Sequence, residues 1–471
     1  MSKFKERRKK QTLCLPYVIE DYVPEGSLAR VIDRIVESLD TKAIEEKYSE
    51  LGQRTYHPKI LLKLMFYGYA TGVRSGRKIS SKTETDIAYM CLAEMYQPDF
   101  RTINDFRKNN TEEVQGYFVD LVKICQGLGM AKVGKIAIDS TKIRANASNR
   151  RTKDRKGYER WLKRVDQQIA EIFREAEETD AWEDKEYGNQ RGDELPKKLR
   201  KSKALRQRIQ EVMNELKDDQ GKKNLTDRDA TFMKGQVRKD TNYNCQTVVT
   251  EDQIIVAADV TKEASDHHAL EGMIRQSEEN TDKPIKVVLA DSGYGDLDNY
   301  DYMKKEEIDG YVPDLYNRQG GRPGRGIFGE KDFQYNKEDN CYVCPAGQNL
   351  ELAKIRIANG RIKRRQYIYQ CKACAGCCLK SQCTRAKYRT IAREFRQSLV
   401  DEMREKLKSP SGKKIYSQRK YMIEPVFGHI KFNLGYKRFL LRTLEKVQGE
   451  FRLMCIGYNL TKLWKRGVLA A

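Results

Sequence analysis

Helical and strand-like patterns of apolar residues divide the chain into regions of different type. The first region, residues 1–130, carries apolar side chains at helical spacing in Leu28–Val36 and again in Ile60–Met65. Pro58 fits the first turn of the second helix, where a backbone N–H would have no partner in any case. We therefore predict a helical N-terminal domain.

A group of basic residues after this helix is predicted to form a loop: Arg74, Arg77, Lys78 and Lys82. A third helix is predicted over about 84–95, and a fourth is predicted to open at Thr102 with Asp105 as its capping partner. With Arg101 and Arg107 beside it, this helix–turn–helix arrangement is compatible with a DNA contact. The alternative is a helical bundle with a solvated basic face.

Two buried strands are predicted, and each is expected to end at an aspartate. Val133–Ile138 leads to Asp139, and Ile285–Ala290 leads to Asp291 and a Ser-Gly-Tyr-Gly turn. A carboxylate at the tip of a buried strand is a rigid cation ligand or general base. For Asp291 the alternative is an aspartate that caps the next helix.

The order of the remaining elements predicts a mixed α/β sheet with Asp139 and Asp291 at one edge. A β-hairpin is predicted over Tyr243–Thr250 and Gln253–Val260. Residues 150–226 combine apolar residues at helical spacing with many charges, which predicts an antiparallel helical hairpin inserted into the sheet domain. A partly disordered charged linker is the alternative for that region.

The charge of the chain indicates its kind of partner. The net charge is +22 and the isoelectric point is near 9.3, which implies a polyanion, most simply nucleic acid. No apolar run is long enough to span a membrane, and the polar, basic N-terminus does not look like a secretory signal. We expect a cytoplasmic protein whose 12 cysteines are reduced or metal-bound.

A cluster of cysteines late in the chain predicts a zinc ribbon. Two groups of thiols about thirty residues apart can supply four soft ligands at tetrahedral reach. The candidate ligands are Cys341, Cys344, Cys371, Cys374, Cys377 and Cys383. Which four bind stays open, as do a second zinc ion, spare free thiols and an iron–sulfur cluster. Basic residues in the same segment could contact phosphates: Arg356, Arg361, Lys363, Arg364 and Arg365.

A C-terminal helix is predicted over Tyr416–Lys431, and it carries a third acid. Glu424 lies within two turns of Arg419 and Lys420, and Lys431 follows it by two turns on the same face. Taken alone, a glutamate among cations on a helix is a surface salt bridge, which is the alternative here. The tail that follows is also predicted to be helical and to pack against the sheet.

The three acids, in this order, resemble the catalytic acids of the DDE transposases of bacterial insertion sequences, in particular the group with a cysteine-rich insertion. The resemblance covers nearly the whole chain and is carried by Tyr56–Pro58, Pro98–Arg107, Ile138–Lys142, Ala145–Ala147, Ala290–Tyr294, Glu424–Lys431, Leu444–Val447, Tyr458–Leu463 and the cysteines. The Glu-to-Lys spacing of the wider superfamily's Tyr-Arg-Glu-Lys signature is kept by Glu424 and Lys431. Its Arg would fall on Lys420, with Arg419 directly before it, so the roles of these cations and of Tyr416 stay open.

The resemblance implies an α/β fold with an RNase-H-like mixed-sheet core, a helical N-terminal domain, a helical-hairpin insertion and a zinc-ribbon insertion. Catalysis would use Asp139, Asp291 and Glu424, which would hold two Mg²⁺ ions about 3.5–4 Å apart, with Mn²⁺ as a substitute. Zn²⁺ would be structural. The side chains expected to position DNA and its phosphates are Arg419, Lys420, Lys431, Tyr416, Arg101 and Arg107.

The implied domains are a helical DNA-binding domain over 1–130, the first parts of the catalytic core over 131–149 and 227–317, the helical hairpin over 150–226, the zinc ribbon over 318–390, and C-terminal helices over 391–471 that complete the core. The expected function is that of an insertion-sequence transposase, which binds terminal inverted repeats, cleaves DNA and joins strands. Its partners would be double-stranded DNA and a second copy of the chain, in the bacterial cytoplasm and on the nucleoid when DNA is bound.

Two alternatives to this function stay open. One is a nuclease of the same fold that cleaves without joining strands. The other is an inactive or domesticated copy that binds DNA as a regulator.

Overall fold

The structure is a computed structural model, and it describes residues 18–48, 55–187, 197–216, 221–235, 238–314, 328–329, 332–358 and 364–467. Its helices, in chain order, are α1 (Leu28–Ser38), α2 (Lys42–Glu45), α3 (Pro58–Ala70), α4 (Gly76–Thr85), α5 (Ile87–Leu92), α6 (Phe100–Asn109), α7 (Glu113–Gly127), α8 (Arg155–Tyr187), α9 (Lys197–Glu215), α10 (Leu270–Thr281), α11 (Leu297–Lys305), α12 (Lys380–Cys383), α13 (Gln397–Lys408), α14 (Pro410–Gly428) and α15 (Leu444–Arg466). Within the described ranges, none of the helices combines the length and apolar character that crossing a membrane would require.

The strands, in chain order, are β1 (Lys135–Arg144), β2 (Thr152–Lys153), β3 (Lys223–Asn224), β4 (Thr231–Lys234), β5 (Lys239–Thr250), β6 (Ile255–Thr261), β7 (Val287–Ala290), β8 (Asp309–Tyr311), β9 (Gln334–Asn336), β10 (Cys341–Val343), β11 (Asn349–Ala358), β12 (Arg364–Cys371) and β13 (Thr390–Glu394). The chain forms two compact units. The first contains Met1–Gly129, Lys142–Tyr243 and Gly428–Ala471, and the second contains Met130–Thr141 and Asn244–Phe427.

In the first unit, α15 is the helix around which the N-terminal helices pack. Its principal neighbours are α3, α7 and α1. The approach to α3 is close, because a Cβ on Gly457 would lie 2.6 Å from the carbonyl carbon of Tyr69. The predicted packing of this tail against the sheet is therefore wrong. Apolar spacing predicts a helix and its buried face, but it does not say which element covers that face.

A buried carboxylate ties α15 to the segment that precedes it. Glu450 accepts the backbone N–H groups of Leu440 and Leu441 at 2.8–3.0 Å, and Nη1 of Arg74 lies 3.2 Å from its Oε1. Burial raises the pKa of Glu450, against the lowering effect of Arg107, Arg74 and the two amides. The charged network lies in the core of the first unit.

Two predictions for the N-terminal helices are wrong in detail. Of the basic residues predicted to form a loop, Arg77, Lys78 and Lys82 lie in the helix α4, and Arg74 precedes it. Within α4, Ile79 and Thr83 are buried one turn apart. The polar residues Ser80, Ser81 and Lys82 between them, and the basic Arg77 and Lys78 before them, hide this weak period. The helix α6 begins before Thr102, because the carboxylate of Asp99 caps it by accepting the N–H of Arg101 at 2.7 Å.

The region 150–226 folds into α8 and α9, which pack against each other through a small apolar core. The buried members of this core are Tyr158, Val165, Ile209, Val212, Leu216 and Leu225. The helical spacing that predicts these helices is confirmed. Gly188, Gly192 and Pro196, which predict the break between them, lie outside the described residues.

The sheet of the second unit has the order β5-β1-β7-β8, and β6 pairs with β5. β1, β7 and β8 are parallel to one another, whereas β5 and β6 form the predicted antiparallel hairpin. The sheet is therefore mixed, as the order of elements predicts. Ile136–Ile138 and Val288–Ala290 are fully buried, which explains why both strands read as unbroken apolar runs.

The strand β1 does not end at Asp139 as predicted, because it continues to Arg144. Beyond Asp139, the buried residues Thr141 and Ile143 alternate with half-buried ones, which is the period of a strand with one covered face. The prediction of a turn after Asp139 rests on the polar character of these residues and does not consider that they alternate with period two. Asp139 is consequently held by strand backbone on both sides.

The cysteine-rich part of the second unit forms a separate antiparallel sheet of order β13-β12-β11-β10-β9. The sheet has its own small core of Phe333, Tyr342, Leu350, Tyr369, Cys371, Cys374, Cys383 and Ile391. This arrangement brings thiols that are distant in sequence to one end of a rigid β-structure.

Candidate active site

Asp139 and Asp291 are neighbours because their strands are neighbours. The parallel register of β1 and β7 pairs Ile138 with Ala290, so each aspartate directly follows a paired residue. Adjacent strands lie about 4.8 Å apart, which brings the two carboxyl groups to one place on the sheet. Burial raises the pKa of Asp139 to about 6, and the nearby Asp291 adds to this shift.

The turn after β7 holds Asp291 through its own backbone. Oδ1 of Asp291 accepts the N–H of Gly293 at 2.7 Å and caps the short 3-10 helix Ser292–Tyr294. The capping role and the site role are therefore compatible, since a carboxylate has a second oxygen. A side chain at position 293 would crowd this carboxylate, because a Cβ on Gly293 would lie 2.8 Å from Oδ1 of Asp291.

Arg419 on α14 is the cation that contacts the aspartate pair. Its Nη1 donates to Oδ2 of Asp139 at 2.8 Å, and the two side chains are 13% and 20% exposed. Arg419 lowers the pKa of Asp139, but the opposing effect of burial is larger. Tyr416, one turn earlier, lies in the field of both aspartates and Arg419, and burial raises its pKa.

Two hydrogen bonds fix α14 against the sheet. Nζ of Lys135 on β1 donates to Oε1 of Gln418 at 2.8 Å. Nε2 of Gln253, in the turn between β5 and β6, donates to the carbonyl of Tyr421 at 2.6 Å. These contacts set the height and rotation of α14, and so determine that Arg419 faces Asp139.

The other residues predicted on this helix have different positions. Glu424 and Lys420 are exposed, and the structure does not bring Glu424 into a ligand group with the two aspartates. Within the described residues, no three or more His, Cys, Asp or Glu side chains form a group that could hold a metal ion. Lys431 is buried, and the π-helix His429–Asn433 interrupts the regular spacing that relates it to Glu424.

A hydrogen-bond network behind the aspartates was not predicted from the sequence. The hydroxyl of the fully buried Tyr294 donates to Oε1 of Gln246, and Nε2 of Gln246 donates to Oδ1 of Asp266 at 2.7 Å. Nδ2 of Asn244 donates to the same oxygen at 2.6 Å. Asp266 also approaches the Asp291 turn, because its Oδ2 would lie 3.2 Å from a Cβ on Gly293.

A signal for this network does exist in the sequence. Asn244 and Gln246 are polar residues two apart on β5, they flank the apolar Cys245, and both are completely buried. Polar groups on a strand that is covered on both faces need partners inside the protein. Such a pair therefore indicates an internal network close to the strand.

The two N-terminal arginines predicted to contact DNA have different surroundings. Arg101 is exposed, with its guanidinium 5.7 Å from the centre of the Phe100 ring. Arg107 is only 6% exposed and donates to the carbonyl of Arg74 at 2.8 Å and to Oδ1 of Asn104 at 2.9 Å. Arg107 therefore belongs to the core of the first unit rather than to a DNA-facing surface, which corrects the prediction.

Most of the predicted zinc ligands line one small cavity: Cys344, Cys371, Cys374, Cys377 and Cys383. Backbone N–H groups point at two of the sulfurs, from Gln348 to Cys344 at 3.3 Å and from Arg389 to Cys374 at 3.4 Å. Burial raises the pKa of the Cys371 thiol to about 11.

The sixth predicted zinc ligand, Cys341, does not line the cavity. Cys341 is buried within β10, outside the lining of the cavity. Of the basic residues predicted to contact phosphates there, Arg361 and Lys363 lie outside the described residues.

Comparison with known families gives two matches. The family model described as a transposase DDE domain matches residues 343–464, and a second, described as transposase domain DUF772, matches residues 17–109. None of the curated proteins and none of the solved structures matches the chain.

Both matched models describe transposase domains, one over the N-terminal helices and one over the region that contains α14 and α15. Together they support a DDE transposase of the insertion-sequence type, and they confirm the resemblance that the motifs indicate.

Proposed function

We propose that this chain cleaves DNA at the ends of an insertion sequence and joins the 3′ ends to target DNA, with Asp139, Asp291 and Glu424 as its catalytic acids. The observation that carries the proposal is the pair of carboxylates on adjacent parallel strands, faced by a largely buried arginine. The transposase family and the mixed sheet support an RNase-H-like core for the same chemistry.

The two aspartates suit a hard divalent cation. Mg²⁺ prefers oxygen ligands and is commonly held by one or two carboxylates together with water and substrate phosphate. Asp139 and Asp291 would supply the carboxylates, and Glu424, exposed on the helix that carries Arg419, is the proposed third acid. When bound, a pair of such ions activates the attacking oxygen and stabilises the leaving 3′ oxygen.

The other side chains would hold the substrate rather than react with it. Arg419 orients the Asp139 carboxylate and keeps further N–H donors for a phosphate. Lys420 and Arg101 are exposed and would contact the DNA backbone without reading its sequence. Tyr416 would help to exclude water beside Arg419, since it is half-buried there.

Cleavage of a labelled element end with Mg²⁺ or Mn²⁺ tests the proposal. We expect Asp291→Asn and Glu424→Gln each to reduce cutting by at least about 100-fold, a loss typical of removing an electrostatic catalytic group. Glu402→Gln is the matched control, because that glutamate is exposed on α13 and forms an ion pair with the exposed Lys304. Equal cutting by Glu424→Gln and wild type would remove Glu424 from the site.

A second substrate separates transposition from its alternatives. A duplex with a pre-cleaved 3′ hydroxyl should be joined to target DNA by a transposase. Cutting without joining would favour the nuclease. Specific binding of element ends without cutting in either metal would favour the regulator.

We also propose that the cysteine cavity holds one structural Zn²⁺. Because the described cysteines do not form a group that could hold a metal ion as they stand, four of the five lining thiols would have to move closer together to bind it. The amides that point at Cys344 and Cys374 support a thiolate at each of these two positions. Cys341 is not included, because it lies in β10 away from the lining.

Zinc content of the purified full chain tests this assignment. We expect about one zinc per chain in wild type and in Cys378→Ser, since Cys378 is exposed and outside the cavity lining. Cys344→Ser should lose zinc and thermal stability together. Zinc retained by Cys344→Ser, or lost by Cys341→Ser, would contradict the ligand set.

The expected partner is double-stranded DNA bound by two copies of the chain, because each copy would hold one element end. A change from one chain to two on adding element-end DNA, measured by light scattering, would support this. A single chain on paired ends would argue against it.

A further inference from the structure

In the first unit, the segment Lys437–Arg442 runs alongside the end of β1. The N–H of Arg144 donates to the carbonyl of Lys437 at 3.2 Å, and the N–H of Phe439 donates to the carbonyl of Arg144 at 2.9 Å. Arg144 and Arg438 thus form a parallel bridge. Nδ2 of Asn146 adds a hydrogen bond to the carbonyl of Leu440 at 2.6 Å.

Two arginines of this segment are held by neutral backbone groups. Nε and Nη2 of Arg438 donate to the carbonyls of Ala145 and Ala147 at 3.2 and 2.9 Å. Nε of Arg442 donates to the carbonyl of Asn146 at 2.9 Å. Both side chains are exposed, and in the described part of the chain neither forms an ion pair with a carboxylate. Their orientation is fixed while their charge is not neutralised.

Two more arginines extend the same surface, and they share one carboxylate. Arg144 and Arg238 lie 2.8 and 3.8 Å from Oδ2 of Asp240, which is itself only 7% exposed. The side chains of Arg144 and Arg238 are 44% and 70% exposed. The four residues Arg144, Arg238, Arg438 and Arg442 are called the arginine strip below.

We propose that the arginine strip binds the sugar-phosphate backbone of double-stranded DNA. Guanidinium groups present paired N–H donors that match phosphate oxygens, and Arg438 and Arg442 have most of theirs uncommitted. Cations held side by side repel one another, and a row of phosphates removes that repulsion. The proposal rests on the proposed function for the identity of the polyanion, but it names a surface that the catalytic residues do not include.

The salt dependence of DNA binding tests the strip. The logarithm of the binding constant for a duplex falls linearly with the logarithm of salt concentration, with a slope of about −0.9 for each phosphate contact. Arg238→Gln should therefore flatten the slope by about 0.9 and weaken binding about 5–10-fold near 0.1 M salt. The double variant Arg438→Gln with Arg442→Gln should roughly double the change in slope.

Arg275→Gln on α10 is the matched control, because it removes the same charge from an exposed, ion-paired arginine that does not belong to the strip. We expect it to keep the wild-type slope. Within the part of the chain that the structure describes, the Arg238 side chain has an ion pair with Asp240 and no hydrogen bond to a backbone carbonyl, so its variant should fold even if the double variant does not. A wild-type slope for folded Arg238→Gln overturns the proposal, and so does an equal loss of binding to heparin and to duplex DNA.

Failure of the strip and failure of the proposed function give different results. If the wild type cuts element ends while the strip variants bind DNA with the wild-type salt slope, the proposal for the arginine strip is wrong and the proposed function stands. If wild type never cuts but the variants show flattened slopes, the strip stands and the function is wrong.

Discussion

At the scale of single residues, the environment of Asp139 has the clearest consequence. Its pKa is raised from the ordinary value of 3.8 to about 6, mainly by burial. The folded protein therefore holds a proton on Asp139 more tightly than the unfolded chain does. The free energy of unfolding must then decrease as the pH rises from about 4 to about 6, because the buried carboxylate becomes charged in this window.

We expect the wild type, in buffer without divalent metal, to lose about 2–3 kcal/mol of stability between pH 4 and pH 7 relative to Asp139→Asn. Urea unfolding of both proteins at each pH measures the difference. Mg²⁺ should reduce the loss above pH 6, since it favours the ionised aspartate. A difference between the two proteins that does not change with pH would contradict the raised pKa.

A second prediction at this scale concerns the neighbouring cations Arg419 and Lys420. Arg419 contacts Asp139 at 2.8 Å, whereas Lys420 is exposed. Arg419→Gln should reduce cleavage about 100-fold and raise the pKa of Asp139 further, because a nearby positive charge is lost. The matched change Lys420→Gln should cost less than about 3-fold, as for an exposed phosphate contact. A larger loss of cleavage in Lys420→Gln than in Arg419→Gln would instead assign the arginine position of the Tyr-Arg-Glu-Lys signature to Lys420.

At the scale of elements, the turn after β7 depends on the strand beside it. Tyr294 in the turn bonds to Gln246 on β5, and Gln246 bonds to Asp266 in the loop before α10. Three separate segments are therefore joined behind Asp291. Small shifts of this turn would move the Asp291 carboxylate, and sites for metal ions tolerate little displacement.

Tyr294→Phe should lower the free energy of unfolding by about 1–3 kcal/mol, because Oε1 of the buried Gln246 loses its donor. It should also raise the Mg²⁺ concentration for half-maximal cleavage, a readout that lost stability alone would not change. Tyr302→Phe on α11, a half-buried tyrosine outside the network, is the control. An unchanged Mg²⁺ requirement would limit Tyr294 to a structural role.

Several elements could be predicted because their signals are local. The predicted β-hairpin of β5 and β6, the apolar run of β7 and the helical spacing within α15 all correspond to elements of the structure. The predicted start of α6 is three residues too late, because Asp99 and Thr102 are both good capping residues and the structure uses Asp99. Only the preceding backbone decides which of them is used.

At the scale of the molecule, one further prediction concerns Glu450 and the stability of the fold. It holds Arg74 and two amides of the segment before α15, and it is completely buried. Glu450→Gln should cost about 3–5 kcal/mol, because it leaves buried arginine charge without its partner. Glu445→Gln, exposed in the first turn of the same helix, is the control.

Hydrogen exchange can locate this effect. The amides of Leu440 and Leu441 donate to Glu450, so both should exchange faster in Glu450→Gln than in wild type. Unchanged protection of the two amides together with unchanged stability would show that the carboxylate is dispensable.

The sequence by itself determined the type of most main elements and the excess of positive charge, because these follow from composition and short-range periodicity. The resemblance of its motifs to a known family singled out the candidate acids. Only the tertiary structure decided that Asp139 faces Arg419 and that Arg107 is buried. It also decided that Cys341 lies outside the lining of the cysteine cavity and that α15 packs on helices. Each of these depends on which distant segments meet, and contacts between distant segments leave no periodic signal along the chain.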